Sequence, residues 1–179
     1  ETYDFLQNLI APQGLFQIET DTGFRVCQKV RPKNIHDLSA VLALARPGAL
    51  AFADQYAKFS NTGESTSIHP FFDEVLGWTG SIPLYQEQLI GMARKIGITA
   101  DEGEQLRRIV GKKKVEQMKE WKDKISNKIK ENNLDEKIGE ILWKVAEDSA
   151  NYSFNACLSP ETVVQKKKYG YTCLSDIKK

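Results

Sequence analysis

TADEGEQLRRIVGKKK, residues 99–114, decides how the rest of the chain is read. Thr99 and Glu102 have the spacing of a capping box, in which a hydroxyl and a carboxylate satisfy free backbone N–H groups at a helix start. Leu106, Ile109 and Val110 then fall on one helical face, and Gly111 interrupts the run just before three lysines. A capped, one-sided helix that breaks into concentrated charge predicts a helical scaffold with a cationic edge.

The same grammar extends in both directions. Asn34 is placed to cap a helix carrying Leu38, Val41, Leu42 and Ala45, which must stop by Arg46 because Pro47-Gly48 follows. Tyr85, Leu89, Met92 and Ile96 recur at helical spacing, and Gly97 supplies a stop. Val115, Met118, Lys122, Ile125 and Ile129 sit close to a 3-4 pattern, with the Lys122 stem able to cover apolar surface. Asn132-Asn133 makes a turn before a last helix from about Asp135, with Ile138, Ile141, Leu142 and Val145 on one face. Ser60–Ser67 reads as a polar loop. After Cys157 the period changes. Thr162–Gln165 and Tyr171–Leu174 read as strands around a Lys166–Gly170 turn. The expected fold is mainly α, with a short C-terminal β-hairpin.

Composition narrows the function. The 41 % hydrophobic and 27 % charged content of the 179 residues suits one soluble domain. The longest nearly apolar run, Leu38–Ala45, is far too short to span a bilayer, so no membrane partner is expected. No signal peptide is visible, and a start at Glu1 without methionine suggests a fragment. Three cysteines and two histidines without ligand spacing predict no metal site and a reducing, cytoplasmic setting. Net charge is +1, yet Arg107–Lys130 holds ten Lys/Arg against Glu116, Glu120 and Asp123. Such an excess predicts either a surface for polyanions or a solvated helical face.

Five motifs occur in order: Gly14-Leu-Phe-Gln-Ile-Glu19, Ala43-Leu-Ala-Arg-Pro-Gly48, Leu84-Tyr-Gln-Glu-Gln88, Leu106-Arg-Arg-Ile-Val-Gly-Lys-Lys-Lys114 and Tyr152-Ser-Phe-Asn155. Together they resemble the fingers region of the bacterial C-family replicative DNA polymerases, the DNA polymerase III alpha subunits. The resemblance implies a DNA-directed DNA polymerase (a nucleotidyltransferase) with template-primer DNA and incoming nucleotide as partners, alongside the remaining polymerase domains. It places Arg46, Gln86, Glu87, Arg107, Arg108, Lys112, Lys113 and Lys114 at the nucleotide or DNA. Adjacent guanidinium forks suit bidentate phosphate contacts, and lysines after a glycine add point charges. The family's metal-binding aspartates lie upstream in the palm, and no Asp-x-Asp pair occurs here. The resemblance therefore implies a fragment that binds no cofactor itself, is inactive alone, and serves an enzyme that uses Mg²⁺. Two rival readings keep the basic helices and drop the enzyme: a stand-alone helical nucleic-acid-binding protein, and a helical interaction module.

The family follows Phe-Asn with Lys, Ser and His. This chain instead has Ala156 and then Cys157-Leu-Ser-Pro-Glu-Thr-Val-Val164. That run, with Tyr169-Gly170 and Leu174-Ser-Asp-Ile177, resembles the first splicing block of an intein, the self-excising Hint-fold domain. The resemblance divides the chain into fingers residues 1–156 and an intein segment, 157–179. It makes Cys157 the splicing nucleophile on the Ala156 carbonyl and implies a complementary C-terminal intein-extein fragment as partner. An end at Lys179 fits a naturally split intein or a sequence that continues. The plainer reading is an ordinary thiol in a stray hairpin. Ala156, where many family members carry lysine, departs from the polymerase pattern.

Overall fold

The computed structural model describes residues 2–8, 10, 11, 14–112, 115–150, 153 and 154, with the backbone alone of 163–166 and 170–173. Among the described residues the helices are α1 (Thr2–Gln7), α2 (Asp21–Val30), α3 (Ile35–Leu44), α4 (Ala53–Thr62), α5 (Asp73–Leu76), α6 (Gln86–Lys95), α7 (Ala100–Gly111), α8 (Val115–Glu131) and α9 (Glu136–Ser149). The chain is mainly helical, as expected. None of these helices is long and apolar enough to cross a membrane.

Caps start the helices where the sequence marks them. The Asp37 N–H donates to Asn34 Oδ1 at 2.9 Å and opens α3. At α7 the Glu102 N–H donates to Thr99 Oγ1 at 3.3 Å, and the Thr99 N–H donates to Glu102 Oε2 at 2.9 Å. The Asn132-Asn133 turn is also present, with Asn133 at φ +50° and the Leu134 N–H returning to the Ile129 carbonyl at 2.9 Å.

Two expectations need correction. Ser60–Thr62 belong to α4, and the polar connection begins only at Gly63. The Thr62 hydroxyl donates back to the Lys58 carbonyl at 2.8 Å, and Gly63 ends the helix at φ +76° with its N–H on the Phe59 carbonyl. On α8 the buried stripe is Trp121, Ile125 and Ile129, with Met118 partly buried. Lys122 lies one position off it, its Nζ 4.8 Å above the centre of the Trp143 ring. Its ammonium, rather than the stem, meets an apolar ring, and that ring belongs to α9.

Two cores result. α2, α3 and α4 enclose Val26, Val30, Val41, Leu44 and Tyr56, while α5–α9 enclose Leu76, Met92, Leu106, Ile129 and Leu142. Gly139 lets α9 close on α8: a Cβ there would lie 3.1 Å from Ile129. The Ile82–Tyr85 segment joins the cores. Tyr85 is buried, its hydroxyl 2.9 Å from Ser39 Oγ, and its ring stacks on Trp78 with centroids 5.0 Å apart and planes 3° from parallel. Gly80 makes this crossing possible. It sits at φ +65°, and any Cβ there would fall 2.5 Å from the Phe59 ring.

Candidate functional site

The predicted site residues that the structure describes lie just beyond α3, at the start of α6 and in the last turns of α7. In Tyr85-Gln-Glu-Gln88 the outer two residues face inward. The Tyr85 N–H donates to Gln88 Oε1 at 3.0 Å, and Gln88 Nε2 donates to Thr79 Oγ1 at 2.7 Å. Gln88 is buried and is a structural lock that the sequence reading passed over. Gln86 is half-buried and Glu87 exposed, so the two candidates are left at the surface of the first turn of α6.

Phe154 runs beside that turn. Its N–H donates to the Leu84 carbonyl and its carbonyl accepts from the Gln86 N–H, both at 2.9 Å, forming one parallel bridge with Tyr85. The guanidinium of Arg46, exposed just beyond α3, lies 5.4 Å from the centre of the Phe154 ring. Arg46 was expected either at a nucleotide or capping helix carbonyls; here its side chain covers Phe154. The R-P-G turn, the start of α6 and the Tyr-x-Phe-Asn segment thus form one corner.

Arg107 lies on α7, which packs against α6. Its protonated form is favoured first by the hydrogen bonds to Glu104 and only weakly by the charge of Glu87. Glu104 grips both arginines. Arg107 donates from Nε and Nη2 to its two oxygens at 2.8 and 2.6 Å, and Arg108 Nε donates to Oε1 at 2.7 Å. These bonds, led by those from Arg107, hold the Glu104 carboxyl down at about 2. Glu102 is likewise held at about 2, first by Lys124 Nζ at 2.7 Å and then by the Thr99 groups. Lys112 ends α7 and lines a shallow 310 Å³ groove with Arg108, Gln105, Ile109 and Gln117. Lys113, Lys114, Ala156 and Cys157 lie outside the described residues. Cys27 is buried, and burial pushes its thiol pKa up, away from reactivity.

The charge count changes once the fold is known. Glu104 takes Arg107 and Arg108, Glu102 takes Lys124, and Glu131 takes Lys128 at 2.7 Å. All three acids fall just outside the 107–130 window. Over residues 102–131 the ten cations face six carboxylates, so the local excess is smaller than the sequence reading gave. Among the described cations of that stretch, Lys112, Lys119, Lys122 and Lys130 keep no acidic partner, and Lys122 lies over the Trp143 ring instead.

The architecture is thus a mainly helical module with its polar candidates at the α6 corner and the adjoining α7 face. Residues 1–133 match the bacterial DNA polymerase III alpha subunit finger domain family, and the chain belongs to that family. It is 32 % identical over 143 residues to the DNA polymerase III subunit alpha of Treponema pallidum, covering 79 % of this chain and 12 % of that protein. The Aquifex aeolicus subunit is 37 % identical over 148 residues, covering 79 % and 13 %. The Thermus aquaticus subunit is 29 % identical over 175 residues, covering 88 % and 14 %. The chain therefore spans only 12–14 % of the length of these relatives.

Proposed function

We propose that residues 1–156 are the nucleotide- and template-gripping part of a cytoplasmic DNA-directed DNA polymerase, joined at Ala156–Cys157 to the opening segment of an intein. The observation that carries the first half is the corner itself: Arg46 lies over Phe154, Phe154 is hydrogen-bonded along the first turn of α6 that carries Gln86 and Glu87, and α7, packed against α6, presents Arg107 and Arg108. The positive end of a helix dipole adds to that attraction for a phosphate. Glu104 is the stand-in anion. Its two oxygens sit on Arg107 as a phosphate would, so an incoming phosphate exchanges with Glu104 on preorganised guanidinium forks. Lys112, Lys113 and Lys114 supply further phosphate contacts without reading sequence.

The Mg²⁺ of a full polymerase needs clustered carboxylates. Glu102 and Glu104 are engaged by cations, and among the described residues no three His, Cys, Asp or Glu side chains gather. These residues do not fit the metal, and they are assigned no catalytic step. The catalytic aspartates belong to the rest of the polymerase, the partner that also supplies the active site. A stand-alone DNA-binding protein would lack palm carboxylates in the upstream reading frame.

For the intein half, the Cys157 thiolate attacks the Ala156 carbonyl carbon. The C–N bond breaks as the C–S bond forms, and the freed α-amine of Cys157 takes up the proton the thiol lost. The complementary C-terminal fragment supplies the remaining splicing chemistry.

Both halves are tested directly. In the full polymerase, Arg107→Ala or Arg108→Ala raises the nucleotide KM or lowers kcat. The triple Lys112/Lys113/Lys114→Ala flattens the salt dependence of DNA binding by on the order of one unit of slope per lost contact. Unchanged extension kinetics and an unchanged salt slope would show a merely solvated face. Mixing with the C-terminal fragment releases a tail beginning at Cys157, and Cys157→Ala abolishes it. A bound fragment without cleavage after Ala156 rules the intein out.

A further inference from the structure

Beside Trp78, between the start of α3 and the end of α4, lies a cavity of about 430 Å³ lined by Lys33, Asn34, His36, Asp37, Phe59 and Trp78 among others. We propose that it receives an unpaired base of single-stranded DNA, stacked on Trp78. The inference rests on the reading that this chain works on DNA, and it adds a site separate from the arginine face.

The Trp78 ring is the platform. It is 44 % exposed although large and apolar, yet it is pinned against the buried Tyr85 ring. A base that stacks on a ring already fixed in place orders little new protein, and every base has a face to offer. His36, itself exposed, meets the Trp78 ring edge-on at 6.0 Å and 72° and forms a second aromatic wall.

The cavity is lined by the buried Asp37 carboxyl on one side and by the exposed Lys33 on another. Asp37 lies at its back, 6 % exposed, accepting from the Lys33 N–H at 3.0 Å and from the Tyr56 hydroxyl at 3.2 Å. A buried carboxylate repels a phosphate there and tolerates a neutral ring. At the rim, Lys33 Nζ donates to the Ser60 carbonyl at 2.8 Å and has two further N–H groups. Neither the ammonium of Lys33 nor the guanidinium of Arg31, two residues before it, has an ion-pair partner among the described residues. The side-chain amide nitrogen of Asn34 also donates to nothing among them, which leaves a donor for a base carbonyl. A stacked base inside with phosphates at the rim satisfies all of these groups. An aliphatic ligand would leave the donors unused, and a free anion would face Asp37.

The test uses the 179-residue chain and a single-stranded oligonucleotide bearing 5-iodouracil. Irradiation and peptide mapping should place a cross-link at Trp78 or His36. Trp78→Ala should weaken single-strand binding on the order of ten-fold, the loss of one base–aromatic stack, and leave duplex binding unchanged. Trp78→Phe keeps a ring and most of the affinity. Should the alanine variant unfold by circular dichroism, the wild-type cross-link decides alone. Cross-links confined to residues 107–119 would overturn the cavity site while leaving the DNA reading intact. Binding to neither single-stranded nor duplex DNA would overturn that reading, and the inference with it.

Discussion

The α7–α8 face and the corner where Phe154 meets α6 hold their polar groups by opposite means. On the α7–α8 face cations dominate the sequence, but carboxylates from neighbouring turns already occupy the two arginines and Lys124. At the corner the charge is sparse, and main-chain hydrogen bonds set the geometry through Leu84, Gln86 and Phe154. The first region is a set of strong groups in reversible use, since exposed ion pairs are individually weak and exchangeable. The second is a fixed frame whose precision comes from burial. A protein that must take and release phosphate at a defined position needs both kinds of region.

The contrast can be broken most forcefully at Tyr85, which is buried in the α2–α4 core and carries the backbone bridge to Phe154. Tyr85→Ala removes a buried aromatic ring, its stack on Trp78 and its hydrogen bond to Ser39. Stability to denaturant should fall by about 3–5 kcal/mol, the usual range for deleting a buried aromatic side chain. A loss below about 1 kcal/mol, within the ordinary run of point mutations, would mean that the corner is not set by burial.

How much of this was legible beforehand follows the same division. The caps at Asn34 and Thr99, the stop at Gly111 and the apolar faces of α6 and α9 were readable because each depends on residues within one or two turns. Helix α2 was not, since Val26, Cys27 and Val30 are its buried hydrophobics among polar neighbours and only α3 and α4 make them a core. The tail of α4 looked like a loop because Asn61 and Thr62 are poor helix formers, a weak local preference overridden by the anchoring of Tyr56 and Phe59. Arg107 and Arg108 were visible as site candidates, but Glu104 as their shared clamp lay upstream of the window in which charge was counted. Gln88 was hidden inside a motif whose neighbours drew attention, and only its burial against Thr79 shows its role. Local chemistry was legible; partnership across helices was not.

The charged face makes a smaller and opposite prediction. Glu104→Gln removes the carboxylate charge that clamps Arg107 and Arg108, and stability should fall by about 1 kcal/mol, the sum expected of two partly exposed helical ion pairs. The same change should tighten phosphate binding, read by titration with inorganic pyrophosphate, because the guanidinium groups no longer have a competing anion. Acid should act in the same direction on stability. Glu102 and Glu104 are held at about 2, below the ordinary 4.5. Their contribution is therefore complete above pH 4.5 and is lost as pH falls toward 2. The melting temperature of the wild type should drop across that window, and that of Glu104→Gln should drop less. Identical pH profiles, or pyrophosphate binding that weakens, would show that Glu104 does not compete for the arginines.

The finest distinction lies at Arg46. Its guanidinium covers the Phe154 ring at the surface, a contact worth about 0.5–1 kcal/mol at an exposed site. Arg46→Lys keeps the charge and loses the delocalised guanidinium that stands over the ring. Global stability should hardly move, because neither core contains this side chain. The local effect should be visible in the two amides that pin the corner, the Phe154 N–H on the Leu84 carbonyl and the Gln86 N–H on the Phe154 carbonyl. Their hydrogen exchange should quicken about two- to five-fold, the same free energy read as local opening. The amides of α9 should be unaffected, since that helix is anchored in the other core. If exchange at Gln86 and Phe154 stays at the wild-type rate, Arg46 does not brace the frame. Its side chain is then free to leave Phe154 for a phosphate, and the corner joins the α7 face as a set of reversibly committed charges.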